Sequence, residues 1–398
     1  MAPISTPFSK DREALDGLLA QLRLENRTQI LARVHETWRR FAGPAASSLV
    51  IFGCGELGRF VLPGVRAAGL EPRAYCDNNP RTWGTAVGGV PVVPPAAAAQ
   101  AFGDSVPFLA AVYNASPIRS QLRELGCRWI VPYPVLFWEH SACLSAEERL
   151  DLPHRIVEHL AEIEAAYELM ADERSRHEFL AQIRWRFLLD YDCLPPHDPP
   201  ADMYFPPSLT ALSGNEVLVD CGAFDGDSVR LFLDRTGGKF QRIHAFEPDA
   251  GNLAALSGYL SALPPETRAK IEVQPYALGR EDGVVRFTAD GTVGSKVAGT
   301  GGVEIPCRSL DSALAGCRPT FIKMDIEGAE IEAIPGAARI AAESRPVLAV
   351  CAYHHCADLW TLPALLKALI PEYRIFLRRY AEECWETVYY AIPPERIR

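Results

Sequence analysis

Two strand–glycine turn–helix junctions in one chain constrain its fold most. The first, LVIFGCGELGRFV at 49–61, runs an apolar strand into Gly53-x-Gly55-x-x-Gly58 and on into a helix. The second, VLVDCGAFDGDSVRLFL at 217–233, does the same around Gly222 and Gly226. Each junction is the opening of a mainly parallel sheet with helices packed on it. The 398 residues exceed what one core needs and fit two domains with connecting elements.

Residues 1–45 read as two helices, split after Asn26 by the 3–4 spacing of their apolar residues. From 46 to 142 short apolar strands (LVIFG, PRAYC, FLAAVY, RWIVPY) alternate with helices, which predicts a small Rossmann-like domain. Residues 143–200 read as a helical connector. Its segment EFLAQIRWRFLLDY is apolar on more than one side, as expected for burial between domains or between two copies in a homodimer. The connector ends in the proline-rich CLPPHDPPADMYFPPSL. The last region, 201–398, has strands predicted at EVLVDCG, RIHAFEP, IEVQPYAL, FIKMDIE and PVLAVCAY. Two more, YRIFLRRY and ETVYYAI, lie too close together for a crossover helix, so they should pair as an antiparallel hairpin. A parallel sheet with that ending is the class I methyltransferase pattern rather than the dehydrogenase one.

The charges of the two turns separate their ligands. Asp77 follows the first turn at the distance where an acid meets a ribose hydroxyl in dinucleotide enzymes. The second turn, Asp220-Cys221-Gly222-Ala223-Phe224-Asp225-Gly226-Asp227, carries three carboxylates. Like charges ~4 Å apart repel by about 4 kcal/mol at an effective dielectric of 20, so a pyrophosphate is disfavoured there. A cationic ligand reverses the sign, and S-adenosylmethionine brings both a sulfonium and an ammonium. Asp220, Gly222, Ala223, Phe224, Asp225 and Gly226 are the expected cofactor-binding positions, the glycines allowing close backbone approach. Glu247 ends the next strand where it would accept the ribose hydroxyls, and Pro248 stops that strand.

Further candidates lie at later strand ends, where ligands of open α/β sheets bind. Asp325 in FIKMDIEGAE points toward the crevice, whereas Glu330 reads as a helix cap. Of the adjacent His354 and His355, alternation lets one face the site, and His354 is the candidate general base. The glycine-rich ADGTVGSKVAGTGG at 289–302 reads either as a loop that closes over the acceptor, with Ser295 or Lys296 touching cofactor or substrate, or as a plain surface loop.

Composition excludes other classes. The net charge of −10 without long single-sign blocks argues against nucleic acid. No apolar run is long enough for a membrane helix, and the first residues lack signal-peptide order. Eleven cysteines without a C-x-x-C pair fit small core residues of a reduced, cytoplasmic protein better than zinc ligands.

The blocks YFPP, VDCGAFDGDS, AFEPDAGNL, ALG, SLD, FIKMDIEGAE, AYHHCADLW and LRRYAEECWETVYYA, in this order, resemble the FkbM family of S-adenosylmethionine-dependent methyltransferases over about residues 203–393. The resemblance implies a class I fold and methyl transfer to a hydroxyl of a sugar, glycolipid or polyketide-like natural product. It implies cofactor contacts at the Asp220–Gly226 loop, at Glu247 and at Ala277 of the ALG block. It adds acceptor contacts at Glu327 in the post-strand block, at His355, and at Arg378 and Trp385 in the terminal hairpin. His355, Cys356 and Arg379 depart from the family's usual residues, which bears on the acceptor. The first domain is similar to small Rossmann-like domains attached to sugar-modifying enzymes, some of which hold a sugar nucleotide.

Two mechanisms fit these residues. In one, His354 takes the acceptor proton and Asp325 orients it; in the other, Asp325 and His354 are candidate ligands of Mg²⁺, which polarises the hydroxyl. The rivals are a nicotinamide oxidoreductase built on the first turn and a regulatory module that senses a nucleotide sugar.

Overall fold

The computed structural model describes residues 7–44, 46–113, 115–144, 150–288, 296–297 and 302–398. The chain divides into two compact units. One contains Arg12–Leu160 and Gln182–Leu194, the other Ala161–Ala181 and Pro195–Arg398. The segment read as a connector is thus shared out, 161–181 to one unit and 182–194 to the other.

In the first unit the helix Arg27–Ala42 starts at a reciprocal capping box between Asn26 and Gln29. Its sheet comprises β1 (Ser48–Phe52), β2 (Glu71–Cys76), β3 (Ala86–Val87), β4 (Val90–Val93), β5 (Phe108–Ala110) and β6 (Ile130–Pro132), in the order β3-β4-β2-β1-β5-β6. All neighbours pair in parallel except β3 and β4, a short hairpin at one edge. Gly58 has no room for a side chain, since a Cβ there would lie 1.8 Å from the carbonyl oxygen of Gly53. That contact seats the helix Glu56–Ala67 directly on the turn.

The second unit has a seven-stranded sheet built from β7 (Val217–Cys221), β8 (Arg242–Phe246) and β9 (Ile271–Gln274), then from four later strands. Between them a small sheet intervenes, formed by β10 (Ala277–Leu278), β11 (Gly283–Thr288), β12 (Lys296–Val297) and β13 (Val303–Arg308). The main sheet resumes with β14 (Phe321–Met324), β15 (Val347–Cys351), β16 (Arg374–Arg379) and β17 (Thr387–Ile392). Its order is β16-β17-β15-β14-β7-β8-β9, parallel from β15 to β9, with β17 antiparallel to both of its neighbours. Strands β7, β14 and β15 are buried along their whole length, as expected of a parallel sheet covered on both faces. Phe205 packs 5.4 Å from Phe232 and 5.1 Å from Phe321, ring centre to ring centre, in the core beneath them.

The small sheet departs from the sequence reading, which placed only a loop between the third and fourth strands. Strand β11 pairs antiparallel with β13, and Thr288 pairs with Lys296. Ser295 and most of the 289–302 segment lie outside the described residues, and for Lys296 only the backbone is described. Among the described residues no helix is long and apolar enough to cross a membrane. Most of the eleven cysteines are buried, and all are free thiols.

Candidate active site

The strand order reverses between β7 and β14, so their C-terminal ends open the crevice where ligands of such sheets bind. From β7 the chain enters the second glycine turn. Gly222 has φ +82°, and a Cβ there would lie 1.8 Å from the carbonyl oxygen of Asp325. The turn therefore crosses the end of β14 backbone to backbone, which only glycine permits. Gly222 and Ala223 both donate their amides to the carbonyl of Phe246, tying the turn to the end of β8. Phe224 holds a left-handed φ of +46°, and Gly226, at φ +90°, leads into the helix Asp227–Thr236.

Glu247 braces this turn from the side. One carboxylate oxygen accepts the Phe224 amide at 2.9 Å, and the other accepts the Asp249 amide at 2.9 Å. Burial pushes its carboxyl up, while these amides and Asn252 oppose the shift. Oε1 also accepts from Asn252 Nδ2 at 3.4 Å, whereas Oε2 keeps a second lone pair for a ligand hydroxyl. Pro248 follows, and Asp249 caps the helix Ala250–Ser261. Asp225 stands at the mouth of the turn, 40% exposed and paired with Arg230 at 2.6 Å. Ala277 is buried in β10, paired with Cys307 of the small sheet.

Asp220 requires a correction. It lies under the turn with no exposed surface rather than in its wall. Its oxygens meet the ammonium of Lys323 at 3.1 Å and the hydroxyl of Ser228 at 2.5 Å. Lys323 also donates to the carbonyl of Gly222 at 2.5 Å and sits over the ring of Tyr204. Burial alone would push this ammonium down, but Asp220, Asp325 and Asp227 outweigh it and raise it. Asp220 therefore reaches a ligand only through the loop that it and Lys323 support.

Asp325 and His354 are brought together as expected, in a denser cluster than the motifs alone imply. Asp325 accepts the hydroxyl of Tyr204 at 2.6 Å and that of Tyr353 at 3.1 Å. Burial raises its carboxyl, yet Lys323, His354 and Tyr204 together hold it below the usual range. The His354 ring is 3% exposed, with Nε2 3.3 Å from Asp325 and 3.7 Å from Glu327. Its Nδ1 lies 3.0 Å from Glu330, which also accepts the Ile326 amide and so braces the turn. Burial would lower this imidazole, but Glu330, Asp325 and Glu327 push it up to about 10. An imidazole protonated at neutral pH cannot accept a proton, which corrects the reading of His354 as a free general base. Glu327 sits at φ +53°, and Gly328 turns the chain at φ +96° beneath the ring of His355. His355 itself bonds through its amide to Asp358 at 2.7 Å.

The hairpin residues stand differently from the expectation. Arg378 is 4% exposed, and its guanidinium bonds to Asp172 at 2.7 Å and to Ser175 at 2.9 Å. It fastens β16 to the start of the helix Glu173–Leu188, so its charge is already taken and it is no open acceptor ligand. Arg379 does the same with Glu178 at 2.7 Å. A cavity of about 60 Å³ beside these arginines is also lined by Arg174 and His177. Trp385 is half-buried against the core of this unit. Lys323, Tyr204 and Tyr353 are the site residues that motif reading missed. A lysine inside the apolar FIKMD run was the one available signal.

The sequence pattern of the methyltransferase FkbM domain matches residues 220–383. The fold is similar to that of methyltransferase FkbM from Methylobacillus flagellatus KT, with 24% identity and a TM-score of 0.75 over 97% of this chain and 100% of that one. Precorrin-6y C5,15-methyltransferase from Geobacter metallireducens GS-15 is similar over 46% of this chain and 82% of its own, with 12% identity and a TM-score of 0.29. Fibrillarin from Aeropyrum pernix, in complex with S-adenosyl-L-methionine, is similar over 45% of this chain and 67% of its own, with 11% identity and a TM-score of 0.29. No curated protein sequence matches. The first likeness extends over both units and shows the α/β fold with its terminal hairpin. Residues 220–383 match the pattern of a methyltransferase FkbM domain, and that match makes the protein a methyltransferase.

Proposed function

We propose that the protein transfers the methyl group of S-adenosylmethionine to a hydroxyl oxygen of a sugar, glycoconjugate or natural-product acceptor. The observation that carries the reading is the wiring of Glu247 into the second glycine turn, through the 2.9 Å bond from the Phe224 amide. It holds a carboxylate with a free lone pair on Oε2 at the end of β8, beside a turn that carries the further carboxylates Asp225, shared with Arg230, and Asp227. Across the crevice, Asp325 faces the acceptor side with its side chain 15% exposed.

When bound, the cofactor supplies a methyl carbon on a sulfonium, which leaves readily as the thioether. The chain's task is alignment, which supplies roughly 7–11 kcal/mol of barrier lowering. The turn and Glu247 fix the donor side. An acceptor oxygen that took this methyl group would have to give up its proton. Asp325, ionised and oriented by Tyr204 and Tyr353, is the acceptor of that proton in this reading. His354 and Lys323 hold Asp325 in its charged form.

The first glycine turn we assign an accessory role, as a seat for a nucleotide or nucleotide sugar. Its support is a similar wiring: Asp77 accepts the Cys54 amide at 2.9 Å, as Glu247 accepts that of Phe224. Calorimetric titration with S-adenosylhomocysteine, NAD and a UDP-sugar tests both readings. Saturable binding of the homocysteine, lost in Glu247→Ala, is the expected result. Binding of NAD without the homocysteine would return the chemistry to the first turn and overturn the assignment.

A further inference from the structure

The side chains around His354 carry more than a proton relay. Its ring is 96% buried by residue, and Nε2 makes no hydrogen bond, although it points between two carboxylates. Those carboxylates, on Asp325 and Glu327, are 15% and 25% exposed and open toward the crevice. One donor atom from each of the three residues can be chosen so that all lie within 4.8 Å of one another. Metal bonds of about 2.0–2.2 Å bring neighbouring donor atoms to roughly 3 Å apart. The 3.3 Å from Nε2 to Asp325 is already near that, and Glu327 needs only a small rotation to follow.

The surroundings of the three donors match what metal ligands need. Glu330, 1% exposed, sits 3.0 Å from Nδ1 on the far side of the ring. A carboxylate there fixes the ring and directs Nε2 outward, as partners of ligating histidines do. Tyr204 binds the Asp325 oxygen Oδ2, while Nε2 lies nearest Oδ1, which also accepts the Tyr353 hydroxyl at 3.1 Å and keeps one lone pair for an ion. The donor set is two carboxylates and one imidazole, whose Nε2 proton the entering ion displaces. Mg²⁺ prefers an all-oxygen octahedron that keeps several waters, whereas imidazole suits Fe²⁺, Ni²⁺, Cu²⁺ or Zn²⁺, and the two carboxylates also suit Mn²⁺.

We propose that Asp325, Glu327 and His354 form a binding site for one divalent transition-metal ion, open to the crevice on the acceptor side. The site stands on these residues alone. Its use, to hold and acidify an acceptor hydroxyl, rests on the proposed oxygen methylation.

The test uses the full chain, stripped with a chelator and titrated with Mn²⁺ while bound ion is followed by electron paramagnetic resonance. One Mn²⁺ per chain is expected, with coupling to an imidazole nitrogen and little competition from Mg²⁺. His354→Gln should abolish the nitrogen coupling, and Glu327→Gln should weaken binding at least ten-fold. Glu330→Gln, a second layer from the ion, should weaken it by roughly 10–100-fold. His177→Gln, outside the cluster, should leave it unchanged. Near-ultraviolet circular dichroism and S-adenosylhomocysteine titration on the same samples report folding and the donor site separately. If the homocysteine binds while Mn²⁺, Co²⁺ and Zn²⁺ do not, the metal site is refuted and the methyltransferase reading stands. If the ion binds and the homocysteine does not, the site stands and that reading fails. Binding undiminished in folded His354→Gln would also overturn the assignment.

Discussion

At the scale of single residues, the most telling position is Lys323, a charge in the middle of a buried strand. It sits directly beside Asp220 on the neighbouring parallel strand, so their side chains share one face of the sheet. Removing one partner strands the other in a low-dielectric interior, and such losses run to about 3–5 kcal/mol. Lys323→Met is therefore expected to lower the unfolding free energy from urea titration at pH 7 by that much, and so the midpoint, and the double change with Asp220→Asn should recover most of it. An unchanged midpoint in the single variant would show that the pair does not support the turn. The roles of these two residues were only half legible in the sequence. Asp220 stood out because it borders the glycines, and that contiguity made it look like a ligand contact. Its partner comes from another strand, which no local spacing reveals. His354 failed in a similar way: its position at a strand end was readable, but Glu330 behind it was read only as a cap of the following helix.

At the scale of elements, period and turn chemistry revealed most of what was found. The antiparallel hairpin of β16 and β17 followed from the short spacing between two apolar runs. The small sheet of β10 to β13 did not, because β10 and β12 are two residues long and give no period to detect. Nor did the anchoring of β16 by Asp172 and Glu178, which depends on contacts between segments far apart in the chain. Asp172 accepts the Ser175 amide at 2.7 Å as well as the Arg378 guanidinium. Burial would raise its carboxyl, but Arg378 and Ser175 bring it below its ordinary value. A carboxylate lowered in the folded state adds stability above its unfolded value, about 3.9, and loses it as pH falls through the folded one. Asp172→Asn keeps a good helix cap while deleting the charge. We expect it to cost about 1 kcal/mol at pH 7, reduced by partial solvent screening, and almost nothing near pH 2. Urea midpoints at the two pH values check the difference.

At the scale of the whole molecule, two compact units imply two ligand responses. The two glycine turns announced both sheets, while the way residues 161–194 are divided could not be read from helical periodicity alone. A ligand that binds only the folded form stabilises it by about 2.7 kcal/mol at a hundred times its dissociation constant. For a unit of this size that is a shift of roughly 5–10 °C. S-adenosylhomocysteine should therefore move one calorimetric transition upward and leave a second in place. A UDP-sugar that seats on the first turn should do the converse. If both transitions move together with either compound, the units unfold as one.

The contact between Gly222 and the carbonyl of Asp325 also bears on the kinetics. With no side chain between them, the donor loop cannot settle without setting the position of the carboxylate on the acceptor side. The acceptor then meets a finished surface only after the donor has entered, so turnover should follow a compulsory order. The product S-adenosylhomocysteine would compete with the methyl donor, and against the acceptor it would inhibit without competing.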